Sequence, residues 1–509
     1  MADRATVVED ESLSAQSQPR TEHFDVLIVG AGLSGIGAAY HLQKECSKKS
    51  YIVLEGRNAM GGTWDLFRYP GVRSDSDMYT LGYRFRPWKE AQAIADGPSI
   101  LKYINETAQE YDIDRRIRYG HRAKRAMWSA ADARWTVEVT GPEGQTLHFT
   151  CNFLYMCSGY YDYAAGYMPG WPGMERFAGK TVHPQKWPQD LDYKDKRVIV
   201  IGSGATSVTL VPAMAEAARH VIMLQRSPSY ILALPSKDFL AEWLRGKVPA
   251  RLAYTIVRWK NVFVAMYLFQ QSRRKPEKIK KWLLGMAQKA LGPDFDVAKH
   301  FSPRYNPWDQ RLCFIPDSDL FRALRSGKAS MVTDEIETFT EKGLRLKSGQ
   351  ELEADIIVTA TGLKVQLMGG MEVWVDGAPV KISRTMAYKG MMYSDVPNLA
   401  SSFGYTNASW TLKSDLSAEY LCRLLNHMDK HGYAYCTPLK RDSSIVEEPA
   451  IDFTSGYIQR AMDVLPKQGS KRPWRLHQNY ALDLLEFRFA SVDDGTIEFT
   501  PARKAAAAQ

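Results

Sequence analysis

Two glycine-rich turns, each placed between an apolar strand and a helix, constrain the fold of this chain more than any other feature of its sequence. The first lies in FDVLIVGAGLSGIGAAYHLQKE, where Gly30, Gly32 and Gly35 have the spacing G-x-G-x-x-G. The first glycine permits a tight bend, the second lets the backbone approach a pyrophosphate, and the third allows close packing of helix on strand. The helix N-terminus adds unpaired N–H groups. The next strand, YIVLE, ends at Glu55, where a ribose-binding carboxylate is expected, so this region predicts a dinucleotide site.

The second turn follows the strand RVIVI and differs from the first at two positions. Gly202 and Gly204 take the turn and pyrophosphate positions, but Ser207 replaces the third glycine, which predicts slightly looser packing. The next strand ends in Arg226 rather than an acid. A guanidinium favours a 2′-phosphate through bidentate, charge-assisted bonds, whereas a carboxylate repels it. The first site is therefore interpreted as an FAD or NAD site and the second as an NADPH site, which implies electron transfer between two cofactors.

Composition narrows the class of protein. A chain of 509 residues is long enough for about two to four domains. Its hydrophobic content of 45% and charged content of 24% exclude a disordered or membrane-spanning protein. The net charge of +9 fits solubility and phosphate-binding positive charge better than nucleic-acid binding. The six cysteines form no C-x-x-C pair or metal-ligand spacing, so we expect reduced thiols and no metal site. The N-terminus has no apolar run of the signal-peptide kind, so we expect a cytoplasmic protein.

The stretch from Phe239 to Leu291 is helical in pattern, aromatic and basic, and includes QQSRRKPEKIKKWLLGM. It contains no nucleotide motif and predicts a helical insertion. Its basic face is expected to be solvated. The alternative is a weak peripheral contact with an anionic membrane, which would make the protein cytoplasmic but membrane-associated.

A long irregular segment, GRNAMGGTWDLFRYPGVRSDSDMYTLGYRFRPW, follows the first nucleotide motif. Segments of this length without regular structure are usually functional in compact domains. Gly61 and Gly62 would let the chain pass close to a flat ring, and Trp64 could stack on it. Asp75 is a carboxylate with several arginines nearby in sequence. The alternative is a solvated surface of ion pairs.

These motifs together resemble those of the flavin-dependent Baeyer-Villiger monooxygenases. The similarity rests on GAGLSG, GGTW, RYPGVRSD, FAGKTVHPQKWP and GSGATS, in this order and spacing. The string from Phe177 to Pro188 matches the family fingerprint F-x-G-x-x-x-H-x-x-x-W-P. We interpret His183 and Trp187 within it as structural residues of a connector between domains, not as catalysts.

The resemblance implies a site. It places FAD contacts at Gly30, Gly32, Ser34, Gly35, Glu55, Thr63, Trp64, Asp65, Leu66 and Ala123. It places NADPH contacts at Arg73, Ser74, Asp75, Gly202, Ser203, Gly204, Ala205, Thr206, Ser207, Arg226 and Ser227. Arg311 corresponds to the family's active-site arginine, and Asp75 corresponds to its carboxylate partner. Gln310 stands where many relatives carry a lysine that binds the 2′-phosphate, so NADPH preference is expected to depend more on Arg226.

The implied reaction is insertion of one oxygen atom from O2 next to a ketone carbonyl, giving esters or lactones through a C4a-peroxyflavin. Sulfides and thioamides are further expected substrates. Arg311 would stabilise the negative charge of the reacting oxygen. A flavin monooxygenase that acts only on soft nitrogen or sulfur nucleophiles is the alternative, and a nucleotide-bound redox sensor is a third hypothesis.

The resemblance also implies an α/β fold with two Rossmann-like dinucleotide-binding domains and a helical insertion in the NADPH domain. We expect a disordered leader at 1–22 and a discontinuous FAD domain at 23–160 and 385–500. The NADPH domain is expected at 161–228 and 305–384, with the insertion at 229–304.

Overall fold

The apolar strand before the first glycine turn lies inside a large sheet in the computed structural model, which describes residues 21–451 and 453–502. Val26 to Val29 are buried because both faces of the sheet are covered, with Val26 and Ile28 in one hydrophobic cluster and Leu27 and Val29 in another. The strands of this first sheet are β1 (Glu22–Val29), β2 (Tyr51–Leu54), β3 (Ile117–Arg118), β4 (Arg122–Ser129), β5 (Arg134–Thr140), β6 (Thr146–Met156), β17 (Glu372–Val375), β18 (Ala378–Pro379), β19 (Ala387–Tyr388), β20 (Met392–Tyr393) and β21 (Leu399–Ser401).

The central part of the first sheet brings several strand ends to one edge. Val29 of β1 is in register with Leu54 of β2 and Met156 of β6. Because these strands are parallel, the residues that follow each of them meet at the carboxyl edge, where α/β sheets bind their ligands. Beside this central part, β4 pairs antiparallel with β5, and β5 pairs antiparallel with β6.

The second glycine turn follows the central strand of a smaller, parallel sheet with spatial order β12-β9-β8-β16-β7. Ile201 of β8 is in register with Thr359 of β16 and Leu224 of β9. The turn therefore occupies the same position as the first one, at the carboxyl edge. The strands are β7 (Lys180–Val182), β8 (Arg197–Ile201), β9 (His220–Gln225), β12 (Ala329–Thr333) and β16 (Ile356–Thr359).

Smaller sheets surround these two. They contain β10 (Ile231–Leu234) with β11 (Cys313–Pro316), β13 (Ile336–Thr340) with β14 (Gly343–Leu346) and β15 (Glu351–Glu353), β22 (Tyr433–Pro438) with β25 (Ile497–Pro501), and β23 (Glu447–Pro449) with β24 (Lys467–Gly469).

Helices cover the sheets. They are α1 (Leu33–Glu45), α2 (Thr63–Leu66), α3 (Met78–Leu81), α4 (Gly97–Glu110), α5 (Ala205–Met214), α6 (Phe239–Leu244), α7 (Ala250–Arg274), α8 (Pro276–Leu291), α9 (Val297–Phe301), α10 (Asp319–Arg325), α11 (Trp410–His431), α12 (Gly456–Gln459) and α13 (Tyr480–Phe489). Three of them, α6 to α8, form the helical stretch that was expected from Phe239 to Leu291. In the ranges 21–451 and 453–502, every helix is too short or too polar to cross a bilayer.

Three expected boundaries differ from the structure. Strands β17 and β18 lie in the segment assigned to the NADPH domain, but β17 pairs in parallel with β4 of the first sheet. Strand β10 falls within the expected insertion, yet it pairs with β11 beyond it. Strand β1 already begins at Glu22, and residues 1–20 of the expected leader lie outside the described residues. Short strands carry little periodicity of their own, so tertiary pairing decides which sheet they join.

Candidate active site

The first glycine turn is enforced by backbone contacts. Gly30 has φ of +106°, and a Cβ there would lie 2.6 Å from the carbonyl oxygen of Cys157. A Cβ on Gly35 would lie 1.9 Å from the carbonyl oxygen of Gly30. The first backbone bond of α1 runs from Ile36 N to Gly32 O, and the N–H groups before it are the ones that a helix cannot satisfy internally. A helix N-terminus of this kind accepts an anion such as a pyrophosphate.

Glu55 closes the far side of this turn. One carboxylate oxygen accepts a hydrogen bond from Ala31 N at 2.8 Å, and the other accepts one from Arg57 N at 3.0 Å. Burial raises the pKa of Glu55, and the two backbone donors oppose that shift. The side chain is therefore fixed at the end of β2, where a ribose is expected.

A cavity of about 460 Å³ extends from this turn across the carboxyl edge of the first sheet to Arg311. This volume is within the usual range for ligand pockets. The predicted site residues that line it are Gly30, Gly32, Ser34, Glu55, Thr63, Trp64, Leu66, Ser74, Asp75, Ala123 and Arg311.

Arg311 and Asp75 form a two-pronged ion pair in the wall of the cavity. Nε of Arg311 lies 3.0 Å from Asp75 Oδ2, and Nη2 donates to Oδ1 at 3.2 Å. Asp75 raises the pKa of the Arg311 guanidinium, although burial acts in the opposite direction. About a third of the Arg311 side chain remains exposed, so the pair presents a fixed positive charge to the cavity.

An aromatic group beside Arg311 was not predicted from the sequence. The Tyr160 ring stacks on Trp410 with centroids 5.2 Å apart, and its hydroxyl bonds to that of Tyr161. The indole N–H of Trp410 donates to Ser34 Oγ at 2.8 Å, which connects α11 to the first turn of α1. Tyr160 and Tyr161 lie four and five residues after Met156, the last residue of β6, so their position at the carboxyl edge was the available signal. Trp410 carries no comparable local signal.

Comparison with known proteins identifies the family. The model described as "Flavin-binding monooxygenase-like" matches residues 93–368, and the model described as "NAD(P)-binding Rossmann-like domain" matches residues 28–92. The FAD-containing monooxygenase EthA of Mycobacterium tuberculosis H37Rv is 55% identical over 94% of this chain and 98% of its own length. The chain belongs to the flavin-binding monooxygenase-like family. The resemblance to class B flavin monooxygenases that the motifs indicated is confirmed.

Two further proteins are similar to this flavin-binding monooxygenase, one in sequence and one in fold. The probable FAD-binding monooxygenase AlmA of Acinetobacter baylyi is 48% identical over 94% of this chain and 96% of its own length. A solved structure of an oxidised steroid monooxygenase bound to NADP superposes with a TM-score of 0.74 at 19% identity, covering 94% of this chain and 100% of that one. The second likeness shows the fold, and it confirms the predicted α/β class.

The second glycine turn of this monooxygenase has the same backbone form as the first, but Ser207 stands where the first turn has Gly35. A Cβ on Gly202 would lie 2.3 Å from the carbonyl oxygen of Ala360, which parallels the contact of Gly30 with Cys157. Ser207 is fully buried, and its hydroxyl finds no hydrogen-bond partner among the described residues. The helix α5 therefore accommodates a Cβ where α1 cannot.

Arg226 follows β9 and is exposed beside this turn. Its charge contributes to lowering the pKa of Glu335, although Lys347 is the main cause of that shift. Arg73 belongs to the irregular segment after β2. It pairs with Asp319 of α10 at 2.5 Å, which brings it toward the second glycine turn. Gln310 Nε2 donates to Thr454 Oγ1 at 3.4 Å.

The remaining predicted residues do not line the cavity. Gly35 is a buried residue of α1 that packs on the backbone of Gly30, and Asp65 is held between Arg57 and Arg68. The other predicted residues outside the cavity lining are Arg73, Gly202, Ser203, Gly204, Ala205, Thr206, Ser207, Arg226 and Ser227. Most of these belong to the second turn, whereas Ser74 and Asp75, also predicted to contact NADPH, line the cavity beside the first turn.

The fingerprint string from Phe177 to Pro188 contributes no residue to the cavity lining, and all its residues are described. Phe177 is buried against Phe339, and the His183 ring lies with Nε2 3.3 Å from Gly362 O. Burial lowers the pKa of His183.

The cavity has the features that a flavin dinucleotide requires. Gly32 and Gly62 approach each other so closely that a Cβ on Gly62 would lie 3.2 Å from Gly32 Cα. The free N–H groups of α1 suit a pyrophosphate, Glu55 suits a ribose, and Trp64 and Tyr163 line the wall beyond them. The residues present therefore fit FAD.

Proposed function

We propose that this protein is an FAD- and NADPH-dependent Baeyer-Villiger monooxygenase. It inserts one atom of O2 next to a ketone carbonyl to give an ester or lactone, and it also oxidises sulfides and thioamides. NADPH supplies the two electrons that reduce the second oxygen atom to water. When bound, the flavin supplies the hydride acceptor and the O2 chemistry.

The ion pair between Arg311 and Asp75 is the observation that carries this proposal. Oxygen transfer to a carbonyl develops negative charge on oxygen, and a guanidinium already in place stabilises that charge without reorganisation. Asp75 holds the guanidinium from two sides and fixes its orientation. Attack on soft sulfur or nitrogen nucleophiles has less need of such a charge, because no carbonyl oxygen becomes anionic.

The same proposal assigns the cofactor contacts. FAD binds along the first turn, with Glu55 on its ribose and the segment from Thr63 to Leu66 beside its ring system. NADPH binds at the turn from Gly202 to Ser207, with Arg226 and Ser227 on its 2′-phosphate. The segment from Arg73 to Asp75 lies between the two regions, since Arg73 pairs with α10 and Asp75 lines the cavity.

The relatives support this proposal at the level of reaction class. The FAD-containing monooxygenase EthA is similar along nearly the whole chain, and the solved neighbours include an open structure of cyclohexanone monooxygenase with a TM-score of 0.72 at 18% identity.

A ketone assay with labelled oxygen tests the proposal. The FAD-loaded protein, NADPH and 2-octanone under ¹⁸O2 should give an ester that contains one labelled atom. NADPH oxidation that yields only hydrogen peroxide contradicts the proposal, and conversion of thioethers without any ketone favours the alternative N/S-monooxygenase.

Variants of Arg311 separate its chemical role from folding. Arg311→Ala should lower ester formation by about a hundredfold or more while FAD stays bound, as expected for loss of one preorganised charge. Arg311→Lys is the matched control, since it keeps a charge but loses the two-pronged geometry, and it should retain intermediate activity. Equal ester formation by all three proteins would contradict the assigned role.

A further inference from the structure

The structure exposes an unusual concentration of apolar side chains on the helical segment and a neighbouring helix. Among the described residues, nine of the sixteen exposed large apolar side chains lie between residues 239 and 286, and three more lie on α13. Single exposed apolar residues are ordinary, but a contiguous group marks an interaction surface.

On α7 these side chains form one stripe. The exposed residues Leu252, Ile256, Phe263 and Tyr267 have spacings of four, seven and four residues, which places them on one face of a helix. The opposite face is occupied by the protein, since Tyr254, Val257, Arg258 and Val262 are buried. The stripe is therefore the free face of a helix whose other side is already packed.

The stripe continues onto α13. Trp259, between Ile256 and Phe263, stacks on Phe263 with centroids 5.5 Å apart and contacts Tyr480 at 5.7 Å. Tyr480 begins α13, whose exposed apolar residues are Leu482, Leu485 and Phe489. We call the stripe of α7 together with these three residues the apolar face.

The helical segment that carries the stripe is strongly basic. Between residues 243 and 286 the chain carries eleven lysines and arginines and a single acid, Glu277. Arg258 is buried, Lys260 pairs with Asp238, and Arg273 pairs with Asp309. The other basic residues of this segment are Arg245, Lys247, Arg251, Arg274, Lys275, Lys278, Lys280 and Lys281.

The charge indicates what covers this face. A second copy of the chain, joined by a twofold axis, would bring two strongly basic surfaces together, which is unfavourable. A nucleic acid would satisfy the positive charge but would leave Leu252, Ile256 and Val264 exposed to water. An anionic bilayer accommodates both the positive charge and the apolar side chains. The apolar side chains enter the boundary of the acyl chains, and the lysines and arginines contact the headgroups.

We propose that the apolar face docks this protein on the surface of an anionic lipid bilayer. Trp243, Phe263 and Tyr267 are the ring types that favour the membrane–water boundary, and Lys247 lies 4.2 Å above the Trp243 ring. The sequence pattern favoured a solvated basic face and left membrane contact as the alternative; the exposed apolar stripe is the observation that supports the alternative. The surface is independent of the oxygen-transfer site, so the proposal stands or fails separately from the proposed function.

Vesicle sedimentation of the full-length, FAD-loaded protein tests this proposal. The protein should sediment with equimolar phosphatidylglycerol and phosphatidylcholine vesicles and should remain in solution with phosphatidylcholine alone. Phe263→Ser combined with Tyr267→Ser should reduce binding by about tenfold or more, since two exposed rings are removed. Lys247→Gln combined with Arg251→Gln should also weaken binding, and added salt should remove that difference.

A matched control uses exposed apolar residues elsewhere. Val446 and Val464 are 64% and 44% exposed, so Val446→Ser combined with Val464→Ser should leave binding unchanged. Each variant is checked for unaltered FAD content. No sedimentation with anionic vesicles, equal losses in the control, or full binding by the ring variant would overturn the proposal. So would a dimer, seen by light scattering, that is lost in the ring variant while vesicle binding is unaffected.

Discussion

The two glycine turns have the same backbone form but are held in different ways. The first turn leaves no room for a side chain at Gly35, where a Cβ would lie 1.9 Å from the carbonyl oxygen of Gly30. The carboxylate of Glu55 also holds this turn, because it accepts hydrogen bonds from backbone N–H groups. The second tolerates Ser207, and the strand beside it ends at the exposed Arg226. The difference teaches that the first turn is built by close packing, whereas the second leaves an exposed positive charge beside it, which we propose selects NADPH.

The helices that follow the two turns differ in their titratable side chains. In α1, His41 is buried beside Glu45 and Asp415, with His41 Nδ1 2.9 Å from a Glu45 oxygen. His41 Nε2 lies 3.7 Å from Asp415 Oδ1, and this second contact joins α1 to α11, which also carries Trp410. Helix α5, with the sequence ATSVTLVPAM, contains no titratable side chain.

Gly35→Ala should break the first turn and has the largest expected effect. The new methyl group would lie 1.9 Å from the carbonyl oxygen of Gly30, so helix or strand must move. We expect a stability loss of about 3 kcal/mol or more and loss of bound FAD. Thermal unfolding and the flavin absorbance of the purified protein measure both.

Ser207→Ala at the equivalent position of α5 is the control for Gly35→Ala. It removes a buried hydroxyl without a partner among the described residues, so stability should stay within about 1 kcal/mol of the parent. If both variants lost the flavin equally, the distinction between the turns would be wrong.

The contact of α1 with α11 should make stability depend on pH. The neighbouring carboxylates of Asp415 and Glu45 raise the pKa of His41 to about 9, although burial acts in the opposite direction. Because the folded pKa lies above the unfolded one, the stabilisation is complete below about pH 6.5 and is lost as pH rises through 9. The fall is on the order of 3 kcal/mol, and urea unfolding across this range measures it.

His41→Gln should flatten this pH dependence. His220→Gln in β9 is the matched control, because its ring bonds to the Ser330 hydroxyl rather than to a carboxylate. An unchanged slope in His41→Gln would show that another group causes the pH dependence.

Arg226→Ala tests selection by charge at the second turn and has a smaller expected effect. Loss of one charge-assisted contact to the 2′-phosphate corresponds to about 2 kcal/mol. We expect KM for NADPH to rise about thirtyfold, with KM for NADH unchanged and kcat little affected. Steady-state kinetics with both nucleotides measures this.

Arg226→Lys should restore part of the NADPH preference, since it keeps the charge but loses the planar fork. A preference for NADPH that survives Arg226→Ala would place its source elsewhere in the site.

Local patterns were sufficient for the elements that the turns depend on. The buried strands, the glycine spacing and the residues after β2 and β9 all follow from short stretches of sequence, and the structure has them at the carboxyl edges of two sheets. The pairing of Arg311 with Asp75 came from resemblance to the family, because 236 residues separate them and no local pattern links them. Trp410 was missed since its bond to Ser34 depends on how α11 packs against α1.

The sequence by itself determined the two dinucleotide turns and the chemical contrast between Glu55 and Arg226, because strand, turn and helix signals act over about 30 residues. Only the tertiary structure decided that β17 joins the first sheet, that Tyr160, Tyr161 and Trp410 line the same cavity as Arg311, and that α7 leaves an apolar stripe exposed. The physical reason is that pairing and burial depend on neighbours distant in the chain, and helical periodicity alone does not say which face they will cover.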